Sequence, residues 1–107
     1  EIEALLASDF MPTGVFCASD ELAAEMMSVF RQAGVTAPGD LSIVGVDDHP
    51  IAGMMGLTTI AQPAREQGRV AATLALGLLR REPVSECVVL PTRLVVRDTT
   101  RRVLSDA

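Results

Sequence analysis

Residues 12–20 read Pro12-Thr-Gly-Val-Phe-Cys-Ala-Ser-Asp20, and residues 40–50 read Asp40-Leu-Ser-Ile-Val-Gly-Val-Asp-Asp-His-Pro50. Residues 15–18 form a short continuous apolar run, which is typical of a strand covered on both faces in a parallel sheet. Residues 41–46 predict a second buried strand. Between them, apolar residues recur at helical spacing up to Gly34, which suits the left-handed position after a helix. A strand, a helix and a second strand predict an α/β fold with a mostly parallel sheet in a three-layer α/β/α arrangement.

The rest of the chain continues this alternation of strands and helices. Leu57–Ala61 is rich in β-branched residues, which predicts a third strand, and Pro63 suits the first turn of a long following helix. Shorter predicted segments are the end of a helix at 1–9, a turn or short helix at 50–56, and two strands at 88–90 and 93–96. Residues 98–107 are expected to form a frayed tail.

The composition indicates a folded domain with unevenly placed charge. The chain has 107 residues, of which 49% are hydrophobic, so it is one domain or part of one and disorder is not expected. Residues 1–61 hold nine acidic residues and one arginine, whereas residues 62–107 hold five acidic residues and eight arginines. The acidic first half argues against DNA binding by this segment itself, and we interpret the arginines as a solvated face.

No membrane partner is expected, and no secretory leader is visible in residues 1–107. The longest nearly apolar run, residues 70–79, is too short to span a bilayer. No charged and then apolar leader precedes Glu1. Cys17 and Cys87 lie in separate predicted strands without metal-ligand spacing, so we expect buried free thiols. The sequence predicts neither a metal site nor a cofactor.

Two strand ends carry the residues that could bind a ligand. Asp47 directly follows a buried strand, where its carboxylate could accept hydrogen bonds from the hydroxyl groups of a sugar or polyol. The alternative is that Asp47 caps a neighbouring loop. The role of Ser19 also has two interpretations, because its hydroxyl could cap the next helix or face the shared crevice. Asp47, Asp48 and His49 together could also hold a metal or act as a base, but no second histidine, nucleophile elbow or phosphate loop supports an enzyme.

Four phrases at matching spacing make the chain resemble a known family. They are Phe16-Cys-Ala-Ser-Asp-Glu-Leu-Ala23, Gly34-Val-Thr-Ala-Pro-Gly-Asp-Leu-Ser-Ile-Val-Gly-Val-Asp-Asp48, Leu57-Thr-Thr-Ile-Ala-Gln62 and Leu90-Pro-Thr-Arg-Leu-Val-Val-Arg97. From about residue 6 to residue 100, the chain resembles the C-terminal part of a LacI/GalR-type transcriptional regulator. The resemblance implies a periplasmic-binding-protein-like type I fold, in which two α/β lobes clamp an effector and an N-terminal helix-turn-helix headpiece binds operator DNA.

The resemblance also implies how the chain divides between the two lobes. Residues 1–61 and 92–100 would belong to the C-terminal lobe, and residues 62–91 would supply one helix and one strand of an otherwise missing N-terminal lobe. Residues 101–107 would be a tail. The apolar face of the long helix would then lack its usual sheet, so we expect it to dock on the C-terminal lobe or on another copy of the chain.

Site residues are carried over from the resemblance one position at a time. Ser19, Asp47 and Gln62 are expected to contact the effector. Ala64 stands where many family members have an aromatic residue, which argues against sugar stacking at that position. The resemblance places the dimer interface on the helix after Asp20 and on the segment after Asp48, at Ala23, Ala24, Met27, Ile51, Met54 and Met55.

Together these observations predict an effector-sensing and dimerising module of a cytoplasmic repressor. Its partners would be a sugar-like small molecule and a second copy of the chain, with DNA bound only through the absent headpiece. The main alternative is a periplasmic sugar-binding receptor of a transporter, which would need a signal peptide and no dimer surface. An enzyme that uses Asp47, Asp48 and His49 is the second alternative.

Overall fold

A computed structural model describes residues 2–103 of the chain. The chain divides into two compact units, of which the first comprises Glu1–Ala61 and Leu94–Ala107 and the second comprises Gln62–Arg93. Eight helices and strands occur in the described residues: α1 (Ile2–Leu6), β1 (Gly14–Phe16), α2 (Asp20–Gln32), β2 (Ser42–Asp47), α3 (Pro50–Met55), β3 (Thr58–Ala61), α4 (Ala64–Leu79) and β4 (Arg93–Val95).

The strands form one sheet in the order β1-β2-β3-β4. β1 pairs with β2 in parallel and β2 pairs with β3 in parallel, with Phe16 opposite Val44 and Asp47 opposite Ala61. The prediction of a mixed α/β fold with parallel strands is therefore confirmed. The carboxyl ends of β1, β2 and β3 lie at one edge of the sheet, which is where ligands bind in open α/β sheets.

Helix α2 has the start and stop signals that the sequence predicts. The Ser19 side chain accepts a hydrogen bond from the Leu22 amide, and Gly34 follows the helix with φ 77°. The apolar spacing of the sequence predicts a buried stripe at residues 22, 26, 29, 30 and 33. The buried face differs from this stripe, because Leu22 is exposed and Ala23 is fully buried. The inward positions are 23, 26, 27 and 30, which have helical spacing and place Phe30 in the core.

The apolar core lies in the first unit. Its buried members come from α2, α3 and the segments at and around β1, β2 and β3: Cys17, Ala23, Phe30, Leu41, Ile43, Ala52 and Leu57. Ile2, Leu5 and Leu6 of α1 pack against this cluster, as their spacing predicts. Burial of a side chain as large as Phe30 stabilises the fold by roughly 1.5–3 kcal/mol.

The segment after β4 is ordered where a frayed tail was expected, so that prediction is wrong for residues 98–100. Thr99 is only 2% exposed. Its hydroxyl donates to the Ile43 carbonyl at 2.7 Å and accepts from the Thr58 amide at 2.9 Å, and the Ile43 amide donates to the Thr99 carbonyl at 2.9 Å. These buried bonds fix the segment. The part of the predicted tail at residues 104–107 lies outside the described residues.

The second unit consists of α4 and an irregular segment that follows it. The predicted strand at residues 88–90 is wrong, because these residues form no ladder with another described strand. Val88 and Leu90 instead line a cavity of about 230 Å³ together with Val70 and Leu74 of α4. Cys87 is exposed rather than buried, since no strand carries it into a core.

No helix in the described part of the chain has both the length and the apolarity that a membrane crossing requires.

Candidate functional site

Ser19 and Asp47 lie at the carboxyl ends of neighbouring parallel strands. Phe16 is opposite Val44, and the Cys17 amide continues the ladder by donating to the Val44 carbonyl at 2.8 Å. Ser19 follows the end of β1 and precedes α2, and Asp47 ends β2, so both residues lie at the carboxyl-end edge of the sheet. Ser19 Oγ accepts from the Leu22 amide at 3.3 Å, which confirms the helix cap and leaves the hydroxyl hydrogen available to donate.

The backbone turns sharply at the end of β2. Asp47 has φ 115° and Asp48 has φ 54°, so two consecutive residues other than glycine lie in the sparsely populated positive region. Each such residue costs about 1–3 kcal/mol and persists only where its surroundings hold it. The Asp47 side chain is exposed. Strain at a strand end that presents an exposed carboxylate is typical of a functional site.

Hydrogen bonds from α2 and β3 hold this turn. The His49 amide donates to Asp20 Oδ2 at 2.8 Å, and Thr59 Oγ1 donates to Asp20 Oδ1 at 2.6 Å. The Asp48 amide lies 3.4 Å from Thr59 Oγ1. His49 then begins α3, where its Nδ1 accepts from the Ile51 amide at 3.2 Å. The imidazole therefore acts as a helix cap.

An ion pair holds the other side of the turn. Arg97 donates through Nη2 to Asp48 Oδ1 at 2.7 Å and through Nη1 to the Leu57 carbonyl at 3.0 Å. Both charged side chains are about three quarters buried, at 24% and 27% exposure. Partial burial and the second hydrogen bond make this pair stronger than a typical surface pair, which contributes about 0–1 kcal/mol.

Gln62, the third expected effector contact, is the first residue of the second unit. Within that unit, its Oε1 accepts from Gln67 Nε2 at 3.5 Å. Asp47 also makes an interaction with the rest of the protein. The structure therefore brings Ser19 and Asp47 together at one sheet edge and describes Gln62 in the other unit.

The residues expected at a dimer interface differ in exposure. Ala23 is fully buried inside the first unit, so its side chain has no surface to offer a second copy and that assignment is corrected. Met54 on α3 is 85% exposed. Met27 and Met55 are half-buried and line one cavity of about 140 Å³. The remaining two expected residues, Ala24 and Ile51, are also half-buried.

Sequence reasoning missed three side chains that support the turn: Asp20, Thr59 and Arg97. Asp20 was interpreted only as a favourable charge in the first turn of α2. One local signal for it exists, which is Gly45 in the middle of a strand of β-branched residues. A glycine there marks the close approach of another group, and a Cβ at Gly45 would meet Asp20 Oδ1.

A second region of the first unit is concave but has different chemistry. A cavity of about 550 Å³ lies beside β1 and α2, and its lining includes Phe16, Leu22 and Met26 but neither Ser19 nor Asp47. Its mostly apolar lining offers few partners to a polyhydroxylated ligand. Among residues 2–103, no cluster of three or more His, Cys, Asp or Glu side chains could hold a metal ion.

Comparison with known proteins identifies the family. Residues 1–100 match the periplasmic binding protein-like domain. The chain is 36% identical over 101 residues to the ribose operon repressor of Bacillus subtilis, a match that covers 92% of this chain and 31% of that repressor. This chain therefore spans about a third of the length of that relative.

Solved structures agree with the sequence match. A LacI family transcriptional regulator from Enterococcus faecium with bound ribose superposes with a TM-score of 0.82 at 34% identity, over 96% of this chain and 40% of that one. The lac repressor dimer bound to operator and the anti-inducer ONPF gives a TM-score of 0.84 at 31% identity, over 92% and 35% of the two chains. The parallel sheet, the strand-end turn and these matches agree that the chain belongs to the periplasmic binding protein-like domain family, and its relatives include LacI-family transcriptional repressors.

Proposed function

We propose that this chain is the effector-sensing and dimerising part of a LacI-type transcriptional repressor, and that its effector is a sugar or a related small polar molecule. Effector binding would shift an equilibrium between two arrangements of the lobes by the difference in its affinity for them. The protein would act by binding and not by catalysis. A repressor works in the cytoplasm, and DNA would be bound by a headpiece outside these 107 residues.

One observation carries the sugar assignment: the exposed carboxylate of Asp47 is held in a strained conformation at the edge where the parallel strands end. A carboxylate can accept two hydroxyl hydrogen bonds from adjacent carbons of a sugar. Ser19, at the same edge of the sheet as Asp47, can donate its hydroxyl hydrogen. The ribose operon repressor and the ribose-bound regulator support a pentose in particular.

The lobe assignment follows the same resemblance. We assign residues 1–61 and 92–100 to the C-terminal lobe and residues 62–91 to the N-terminal lobe, with Gln62 as the effector contact from the hinge. The two compact units of the chain support this division. The rival reading, a periplasmic sugar receptor, receives less support because the relatives are named as repressors and regulators.

Calorimetric titration of D-ribose into the protein tests the proposal. Asp47→Ala should weaken D-ribose binding by about 10-fold to 100-fold, because each hydrogen bond to a charged group contributes about 1.5–3 kcal/mol. The matched control is Asp40→Ala, which removes an equally charged exposed side chain from the turn between α2 and β2. That variant should bind D-ribose as the wild type does.

L-Arabinose and a purine base are the comparison ligands. Tighter binding of L-arabinose would keep a pentose effector and replace ribose. Tighter binding of the purine base would keep an effector-sensing role and replace the sugar assignment. Equal D-ribose affinity in the wild type and Asp47→Ala would contradict the role proposed for Asp47. Absence of binding by every sugar tested would contradict the sugar class.

A further inference from the structure

The geometry points to Asp20 as a positioning residue, whose buried carboxylate holds residues 47–49 in the conformation that presents Asp47 to an effector. This inference rests on the proposed function, because it concerns the same site. Asp20 is fully buried, with a relative exposure of 0%, so its side chain is not presented to a ligand. It acts through the backbone of the turn.

Both oxygens of the Asp20 carboxylate are engaged. Oδ1 accepts from Thr59 Oγ1 at 2.6 Å and Oδ2 accepts from the His49 amide at 2.8 Å. The first bond spans 39 residues of sequence and the second spans 29, so one side chain joins the start of α2 to the end of β2 and to β3. Thr59 extends the link to the Asp48 amide.

Burial of this carboxylate is costly, which makes a purely incidental role a poor explanation. Removal of a charged group from water costs several kcal/mol, and an apolar residue of similar volume is often as stable or more stable. Both bonds described for Asp20 come from neutral donors, a hydroxyl and an amide. What the carboxylate supplies is geometric specificity, since two acceptors in one plane fix two separate donors.

Asp20 packs closely against Gly45 of β2. A Cβ at Gly45 would lie 3.1 Å from Leu57 Cδ2 and 3.3 Å from Asp20 Cα, in addition to its clash with the carboxylate. Asp20 therefore sits directly against the backbone of β2, two residues before Asp47. The carboxylate can keep its place only while position 45 lacks a side chain.

Loss of either acceptor would release the turn. Loss of Oδ2 would leave the His49 amide without this partner, and loss of Oδ1 would release Thr59. In both cases the positive φ values of Asp47 and Asp48 would lose a restraint that offsets their strain. The Asp47 carboxylate would then sample other directions, and a ligand would have to order it again on binding. The expected consequence is a loss of affinity at unchanged overall fold.

Three variants separate positioning from stability. Asp20→Asn replaces one acceptor oxygen by a donor amide, Thr59→Val removes the hydroxyl at constant shape, and Thr59→Ser keeps it. NMR of the ligand-free protein gives the HN–Hα couplings of Asp47 and Asp48, which report φ, and the exchange rate of the His49 amide. We expect shifted couplings and at least about 10-fold faster exchange in Asp20→Asn, shifted couplings in Thr59→Val, and wild-type values in Thr59→Ser.

Calorimetry with D-ribose adds the functional readout. Asp20→Asn and Thr59→Val should each weaken D-ribose binding by about 10-fold or more, and Thr59→Ser by less than about 2-fold. Phe30→Leu is the stability control, because it loosens the core of α2 without touching the turn. It should lower the melting temperature and leave D-ribose affinity unchanged.

The NMR and the calorimetric measurements test different claims. Unchanged couplings and exchange in both Asp20→Asn and Thr59→Val would overturn the positioning role, whether or not D-ribose binds. D-Ribose that does not bind the wild type, together with shifted couplings, would overturn ribose as the effector and support the positioning of the turn. If Asp20→Asn does not fold, the Thr59→Val and Thr59→Ser pair decides the question.

Discussion

Cys17 and Cys87 are two side chains of the same type in opposite surroundings. Cys17 is buried in the core, its Sγ lies 3.9 Å from Met26 Sδ, and burial raises the pKa of its thiol. Cys87 is exposed. Because the thiolate is the reacting form, Cys87 should react with an aromatic disulfide reagent at pH 8 at least about 100-fold faster than Cys17. Stopped-flow absorbance measures the two phases.

The single variants assign these phases. Cys87→Ser should remove the fast phase and leave one slow phase, whose rate rises when mild denaturant promotes opening of the core. Cys17→Ser should leave only the fast phase. A single fast phase with the amplitude of two thiols in the native protein would show that Cys17 is accessible and that the core around β1 and α2 is open.

The sequence predicts some residues of the candidate site but not all of them. Ser19 and Asp47 could be placed at neighbouring strand ends because each directly follows an apolar run, and Ser19 has a cap's position before α2. Asp20 could not be found in this way. Its bonds span 29 and 39 residues, and no local pattern reveals which distant backbone groups a folded chain brings together.

Helix α4 contains two glycines with different surroundings. A Cβ at Gly68 would meet no atom within 4 Å, whereas a Cβ at Gly77 would lie 2.6 Å from Val84 Cγ1. Gly68→Ala should therefore raise the free energy of unfolding by about 0.5–1 kcal/mol, the usual gain for alanine in a helix. Gly77→Ala should lower it by about 1–3 kcal/mol, because the methyl group overpacks the contact. Urea unfolding followed by circular dichroism measures both changes.

The clash at Gly77 has its own control. Val84→Ala removes the Cγ1 atom, so Gly77→Ala combined with Val84→Ala should recover most of the helix gain, and the two changes should be strongly non-additive. If Gly77→Ala alone stabilises as much as Gly68→Ala, the segment after α4 does not pack on the helix as described. Additive effects would indicate the same.

At the scale of elements, the sequence predicts best where the structure depends on local chemistry. The cap at Ser19 and the left-handed Gly34 bound α2 correctly. Residues 88–90 have the composition of a strand, but a strand exists only with a neighbour to pair with, and the described residues form no ladder there. Residues 98–100 have the composition of a polar tail, but Thr99 is held by buried hydrogen bonds that the local sequence does not predict.

For the whole molecule, the proposed dimer makes a prediction about Met54. Its side chain is 85% exposed on α3, so a partner that covers it would bury most of its apolar surface. A two-fold dimer uses each interface residue twice, and burial of one methionine contributes roughly 1.5–3 kcal/mol. Met54→Glu should therefore raise the dimer dissociation constant by at least about 100-fold. Sedimentation velocity over a concentration series measures it.

The control must be equally exposed and lie outside the proposed interface. Val103 is 88% exposed, and Val103→Glu adds the same charge. If the surface of α2 and α3 forms the interface, this variant keeps the wild-type dissociation constant and Met54→Glu does not. Equal weakening by both would mean that added negative charge on an already acidic chain, with net charge −5, opposes association in general. In that case two uncharged variants distinguish the causes: Met54→Leu keeps the apolar surface, and Met54→Gln replaces it with a polar side chain. A general charge effect leaves both variants as tightly dimeric as each other, whereas an apolar interface at Met54 makes Met54→Gln the weaker dimer.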